Sequence, residues 1–133
     1  MYIIICLDDN NGLAFNHRRQ SQDRIVAEDI RKTVGEKKLW ITDYSRKLFQ
    51  AVSNLEISEN PKEEAKEGEY VFQELETLDT GDEQIEQFII YRWNRVYPAD
   101  VSVEIGAEWK LTETEEFSGF SHEKITKEIY CRE

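Results

Sequence analysis

Cysteine is scarce in this sequence. Cys6 and Cys131 are the two that occur, too few and too widely separated for a disulfide framework or for zinc-ligand spacing. A cytoplasmic protein with reduced thiols is expected. Long hydrophobic runs are missing as well: no stretch of 18 or more apolar residues could cross a bilayer, and no charged start leads into the short apolar run of a secretory leader. Positive charge is the third shortage. Lys and Arg total 17 against 28 Asp and Glu, a formal net charge of -11. Long-range electrostatics therefore oppose nucleic acid and anionic membranes, and an anionic partner needs a local basic patch. With two prolines and six glycines there is no linker long enough to divide the chain, and no internal repeat. Residues 1–133 are expected to form a single domain, which at this length buries roughly two thirds of its unfolded surface.

What is present begins with Tyr2–Leu7, YIIICL, a continuous β-branched run that predicts a central strand covered on both faces. Asp8, Asp9, Asn10, Asn11 and Gly12 break it and force a turn. Ser21 is placed to cap a helix over 22–34, in which Val26, Ala27, Ile30 and Val34 share one face and Gly35 supplies the stop. Residues 38–42 contain the short strand LWI. Thr42 or Asp43 can cap a second helix to about Ser53, with Ser45, Leu48, Phe49 and Val52 as its buried stripe. Leu55 to Ile57 adds a scrap of strand, and the Lys- and Glu-rich segment 59–68 around Pro61 reads as a solvated loop. Strands follow at 69–75, 86–93, 101–105, 109–113 and 124–131, the last two as an antiparallel pair. Two early helices among strands, then strands alone, predict a three-layer α/β domain with a central mixed sheet, two main helices and a C-terminal antiparallel hairpin.

Asn16, His17, Arg18, Arg19 and Arg24, interleaved with Gln20 and Asp23, form the densest cationic stretch and run into the start of the first helix. Backbone N–H groups at a helix start favour anions, so 16–24 is a candidate anion site. The competing expectation is ordinary surface pairing with carboxylates, worth about 0 to 1 kcal/mol per pair. His17 beside Asp8, Asp9 or Asp23 offers a general base and Ser21 a nucleophile, although no spacing demands it and Ser21 is already accounted for as a cap. Trp93 and Tyr97, with Asn94, Arg95 and Asp100, could stack a planar ligand or simply cover the core at a sheet edge. His122, in a loop with Ser118, Gly119 and Ser121, is expected to be solvated. Asp8, Asp9 and His17 lack metal-ligand spacing.

The order of elements resembles dihydrofolate reductase through most of the chain. Residues 3–14 resemble that family's first strand and loop, 22–34 its first helix, 37–49 its next strand and helix, 90–100 a strand and loop ending in a buried aspartate at Asp100, and 109–131 its closing hairpin. The resemblance implies the reductase fold, but the chain departs from the family where its chemistry is carried. The leucine, proline and tryptophan after the first loop are replaced by His17, Arg18, Arg19, Gln20, Ser21 and Gln22. The acidic position on the first helix falls on Ile25 or Val26, and Asp23 lies one turn earlier. The glycine and basic residue that hold cofactor phosphate become Thr42 and Asp43. The paired glycines that let backbone approach a pyrophosphate become Gln73 and Glu74, so no nicotinamide cofactor is expected. The chain is also shorter than the family norm, with the deficit between residues 55 and 70.

The resulting expectation is a small dihydrofolate reductase-like domain without reductase activity. It would bind an anionic small molecule or an acidic protein segment through Asn16, His17, Arg18, Arg19, Gln20, Asp23 and Arg24, with Tyr91 and Trp93 as aromatic contacts. The alternatives are an enzyme, either a divergent NADPH-dependent reductase or a His/Asp hydrolase, and an interaction protein that dimerises through the edge of 101–105. No metal, nucleic acid or membrane partner is expected.

Overall fold

In the computed structural model, which describes residues 1–132, the run Tyr2–Leu7 becomes strand β1 and lies at the middle of a seven-stranded sheet. Ile3, Ile4 and Ile5 are all fully buried. Both faces of the strand are covered, which is why its apolar pattern is continuous rather than alternating. A hairpin of β2 (Gly12–Phe15) and β3 (Arg18–Arg19) leads into α1 (Arg24–Val34), β4 (Lys38–Ile41), a 3₁₀ helix over Asp43–Phe49, and β5 (Asn54–Ile57). A single turn, α2 (Pro61–Glu64), precedes β6 (Tyr70–Phe72), β7 (Gln87–Arg92), β8 (Val101–Ser102), β9 (Trp109–Phe117) and β10 (Ile125–Arg132).

The strand order is β5-β4-β6-β1-β7-β10-β9. The first five strands run parallel, and β10 pairs antiparallel with both β7 and β9. A separate three-stranded sheet holds β3, β2 and β8. On one face of the main sheet, Val26, Ile30 and Val34 of α1 pack with Phe49 and Val52 onto Ile4, Leu39, Ile41, Phe72 and Ile89. The other face buries Ile3, Ile5, Val71, Phe88 and Ile90 beneath Leu13, Ile85, Val103 and Trp109. The third layer is therefore the small sheet and the loops around it, joined by Ala65 at the end of α2. Each fully buried side chain of this kind contributes about 1.5–3 kcal/mol.

Several local readings change. Asp23, not Ser21, caps α1, accepting a hydrogen bond from the Ile25 N–H. The second helix keeps Ser45 and Phe49 buried but is wound as 3₁₀ and ends at Phe49 instead of near Ser53, with Val52 buried from the segment after it. In that geometry side chains three apart eclipse, and the Arg46–Asp43 ion pair at 2.8 Å takes that spacing. The stripe alone does not distinguish the two helix types. Segment 59–68 contains α2, with Pro61 at its first turn and buried. The strand expected over 101–105 ends at Ser102, because the Val103 N–H turns to the Asn11 carbonyl and its side chain enters the core.

Gly35 closes α1 with its N–H on the Arg31 carbonyl at φ +60° and ψ -123°, a combination that side chains with a Cβ disfavour. Nothing stands within 4 Å of an added Cβ, so Gly35→Ala costs backbone strain alone. A loss of about 1 kcal/mol is expected by urea denaturation.

Candidate functional site

Phe15 pairs with Arg18, and the two residues between them, Asn16 and His17, have φ of 54° and 60°. Two successive left-handed residues make the turn that matches the twist of a two-residue hairpin. The Asp100 carboxylate, on the surface rather than buried as expected, accepts the Asn16 N–H at 3.1 Å. This geometry divides the basic cluster. Asn16, His17 and Arg18 sit exposed at the hairpin tip. Arg19 turns inward and grips Glu74 with two hydrogen bonds, 2.7 and 3.1 Å, while lying over the Tyr44 ring. Arg24 stacks on Phe120 at 4.1 Å. The guanidinium groups do not converge on one point.

Beneath the hairpin, Asp8 is fully buried and accepts N–H groups from Asn10, Gly12 and Tyr97 and the Gln20 amide. Burial alone would raise its pKa, but the bonds from Gly12, Tyr97, Asn10 and Gln20 outweigh it and hold the carboxyl below its ordinary value. Gly12 is required here, since an added Cβ would lie 2.7 Å from both Ala99 Cβ and Gln20 Nε2. The other end of the Gln20 amide, Oε1, is buried and has no hydrogen-bond partner among the described residues.

A second buried carboxylate organises the start of α1. Asp23 accepts N–H groups from Ile25, Phe120 and Ser121 and approaches Nδ1 of His122 at 2.9 Å. Burial again opposes the charged form. The donors from Phe120, His122, Ser121 and Ile25 prevail and hold Asp23 well below the usual carboxylate range. His122 is 5% exposed, contrary to the solvated histidine expected, and lies flat against Trp93 with ring centroids 4.6 Å apart. Its Nε2 meets Ser21 Oγ at 3.0 Å and the Tyr97 hydroxyl at 3.1 Å. Gly119 lets this loop approach: a Cβ there would be 2.6 Å from Asp23 Oδ2.

Between α1, the 3₁₀ helix and the ends of β1 and β6 lies a narrow cleft, part of it open to solvent. Val26, Ile30, Phe49, Phe72 and Trp93 form its apolar floor, and Arg19, Gln20, Ser21, Gln22, Asp23, Gln73 and Glu74 its polar rim. Cys6 also lines it, but burial, then the nearby Glu74 charge, pushes its thiol far up, so it is not a thiolate nucleophile. Of the residues expected to bind a ligand, Arg19, Gln20, Asp23 and Trp93 reach this cleft. Asn16, His17, Arg18 and Arg24 do not line it. Tyr91 lies fully buried, its hydroxyl donating to Asp29 at 2.6 Å. His122 escaped sequence reading because its partners, Ser21 and Asp23, are about a hundred positions away. Among the described residues no group of His, Cys, Asp and Glu could hold a metal ion, and no helix is long and apolar enough to cross a membrane.

No family model matches the sequence, and no curated protein matches it either. Among solved structures, a dihydrofolate reductase from Enterococcus faecalis, complexed with NADP(H) and RAB-propyl, is similar at a TM-score of 0.64 and 9% identity. The match covers 98% of this chain and 95% of that chain. The chain has a dihydrofolate reductase-like fold. Within it, Gln73 and Glu74 follow β6 directly beside β1, where the resemblance places the paired glycines of the reductase. They also line a second, broader depression of about 450 Å³ with Thr42, Tyr44, Glu59, Lys62, Glu63 and Glu76. Three carboxylates, Glu59, Glu63 and Glu76, stand against one ammonium there, while Glu74 is held by Arg19. A dinucleotide would meet charge repulsion at its phosphates and side chains where its backbone contact should be, so the residues present do not fit that cofactor.

Proposed function

We propose that this protein is a ligand-binding domain built on the dihydrofolate reductase-like fold that has given up dinucleotide-dependent reduction. The observation that carries the reading is the acidic lining of the 450 Å³ depression, Glu59, Glu63 and Glu76 against Lys62, with Glu74 held by Arg19. Asp23 adds to it. The carboxylate nearest to the family's acidic helix position is fully committed to the α1 cap and His122, and is not free to hold a substrate ring.

The ligand is a small, flat, largely apolar molecule bearing an N–H donor. Its apolar face suits Phe49, Phe72 and Trp93, and its donor would satisfy the buried Oε1 of Gln20. An anion entering the cleft must displace Glu74 from Arg19. A thermal-shift screen of planar neutral heterocycles against phosphates, nucleotides and acidic peptides tests this. Neutral heterocycles are expected to raise the melting temperature of wild type and to lose that effect in Gln20→Leu, which removes the amide acceptor. Stabilisation by anions alone, abolished by Arg18→Ala/Arg19→Ala, would restore the basic-loop reading.

A further inference from the structure

Ser21 and Asp23 are two apart in an extended stretch, so their side chains lie on the same side of the chain. They meet the same imidazole from its two ends. Asp23 Oδ2 is 2.9 Å from His122 Nδ1, and Ser21 Oγ is 3.0 Å from Nε2. Asp23 and His122 are both buried, while Ser21 is partly exposed and lines the cleft. The Ser21 hydroxyl has no other hydrogen-bond partner among the described residues. An anionic carboxylate at Nδ1 fixes the tautomer with the proton on Nδ1 and leaves a lone pair on Nε2 facing a hydroxyl that opens into an apolar cleft.

We infer that Ser21, His122 and Asp23 form an acyl-transfer centre that hydrolyses small uncharged carboxylic esters whose acyl group rests in the cleft. Ser21 Oγ attacks the ester carbonyl carbon as its proton passes to His122 Nε2, giving a tetrahedral oxyanion. The C–O bond to the alcohol then breaks, and the departing oxygen takes the proton from Nε2. Water attacks the resulting Ser21 ester, losing a proton to His122, and collapse releases the carboxylic acid and returns the proton to Oγ. Asp23 is the positioning residue, holding the imidazole and balancing its positive charge. Trp93, stacked on the ring at 4.6 Å, fixes its plane. Tyr97, whose hydroxyl also reaches Nε2 at 3.1 Å, competes with Ser21 for the lone pair and marks the resting state.

The inference rests on the cleft as a ligand site, and the experiment separates the two. The full chain is incubated with p-nitrophenyl acetate and, in parallel, with a fluorophosphonate, whose phosphorus is attacked by the serine oxygen with loss of fluoride. The expected result is p-nitrophenolate release above buffer and a phosphonyl adduct that peptide mass mapping assigns to Ser21. Ser21→Ala should abolish both. His122→Gln should lower release by about 100-fold or more, and Tyr97→Phe should keep or raise it. No adduct on Ser21 at millimolar probe, or equal release by wild type and Ser21→Ala, overturns the centre and leaves the ligand-binding reading standing. Loss of heterocycle binding in wild type itself would instead remove the cleft.

Discussion

Asp23→Asn is expected to destabilise the fold by about 3–5 kcal/mol, because a buried carboxylate that accepts several charge-assisted hydrogen bonds gives way to an amide that leaves some of those donors unpaired. The carboxylate caps α1 through Ile25, anchors the Phe120 and Ser121 amides, and meets His122, all with its side chain fully shielded from solvent. An amide at this position keeps the shape but brings N–H groups against N–H groups. Urea denaturation at neutral pH measures the loss, and fluorescence of Trp93, stacked on His122, should report loosening of the loop. The same carboxylate makes stability depend on acid. Asp23 and Asp8 both have pKa values held down in the folded state, so the unfolded chain takes up protons first. Their contribution is complete above about pH 4, the unfolded carboxylate range, and is lost as pH falls below it. The urea midpoint should therefore hold from pH 7 to about 5 and drop steeply toward pH 3. In Asp23→Asn that drop should be shallower.

Arg19→Ala should cost about 2–3 kcal/mol and Arg18→Ala less than about 0.5 kcal/mol, although the two arginines are neighbours in sequence. Arg19 holds Glu74, whose side chain is 9% exposed, and removing the guanidinium strands that carboxylate with Ser45 Oγ at 2.6 Å as its remaining partner. Partial exposure of Arg19, 22%, keeps the cost below that of a fully buried pair. Glu74→Gln should recover part of the loss in the Arg19→Ala background, and a double-mutant cycle by urea denaturation reads the coupling directly. Equal effects of Arg18→Ala and Arg19→Ala would mean that the hairpin turn, rather than the ion pair, governs this corner.

Strong periodicity was legible. YIIICL gave the central strand, FIIY the strand beside it, and Val26, Ile30 and Val34 the face of α1, because a buried face leaves its spacing in the chain whatever it packs against. Short polar stretches were less readable. Asn16–His17 looked like part of a loop, and only paired positive φ makes it a hairpin turn that points Arg18 outward and Arg19 inward. Charge density in sequence therefore overstated charge density in space. The assignment of the α1 cap failed by two residues because Ser21 and Asp23 are both good caps, and the contacts that decide between them come from Gly119 to His122 at the far end of the chain. For the same reason His122 read as a surface residue. The positions after β6 fared better: Gln73 and Glu74 stand at the sheet's central crevice, where the resemblance to the reductase family put them.

Calorimetric titration of NADPH into the wild-type protein tests the central claim most directly. The acidic, side-chain-filled depression around Gln73 and Glu74 predicts no saturable heat up to millimolar cofactor. Saturable binding in the micromolar range that competes with a ligand of the cleft would contradict it and return the chain to dinucleotide chemistry.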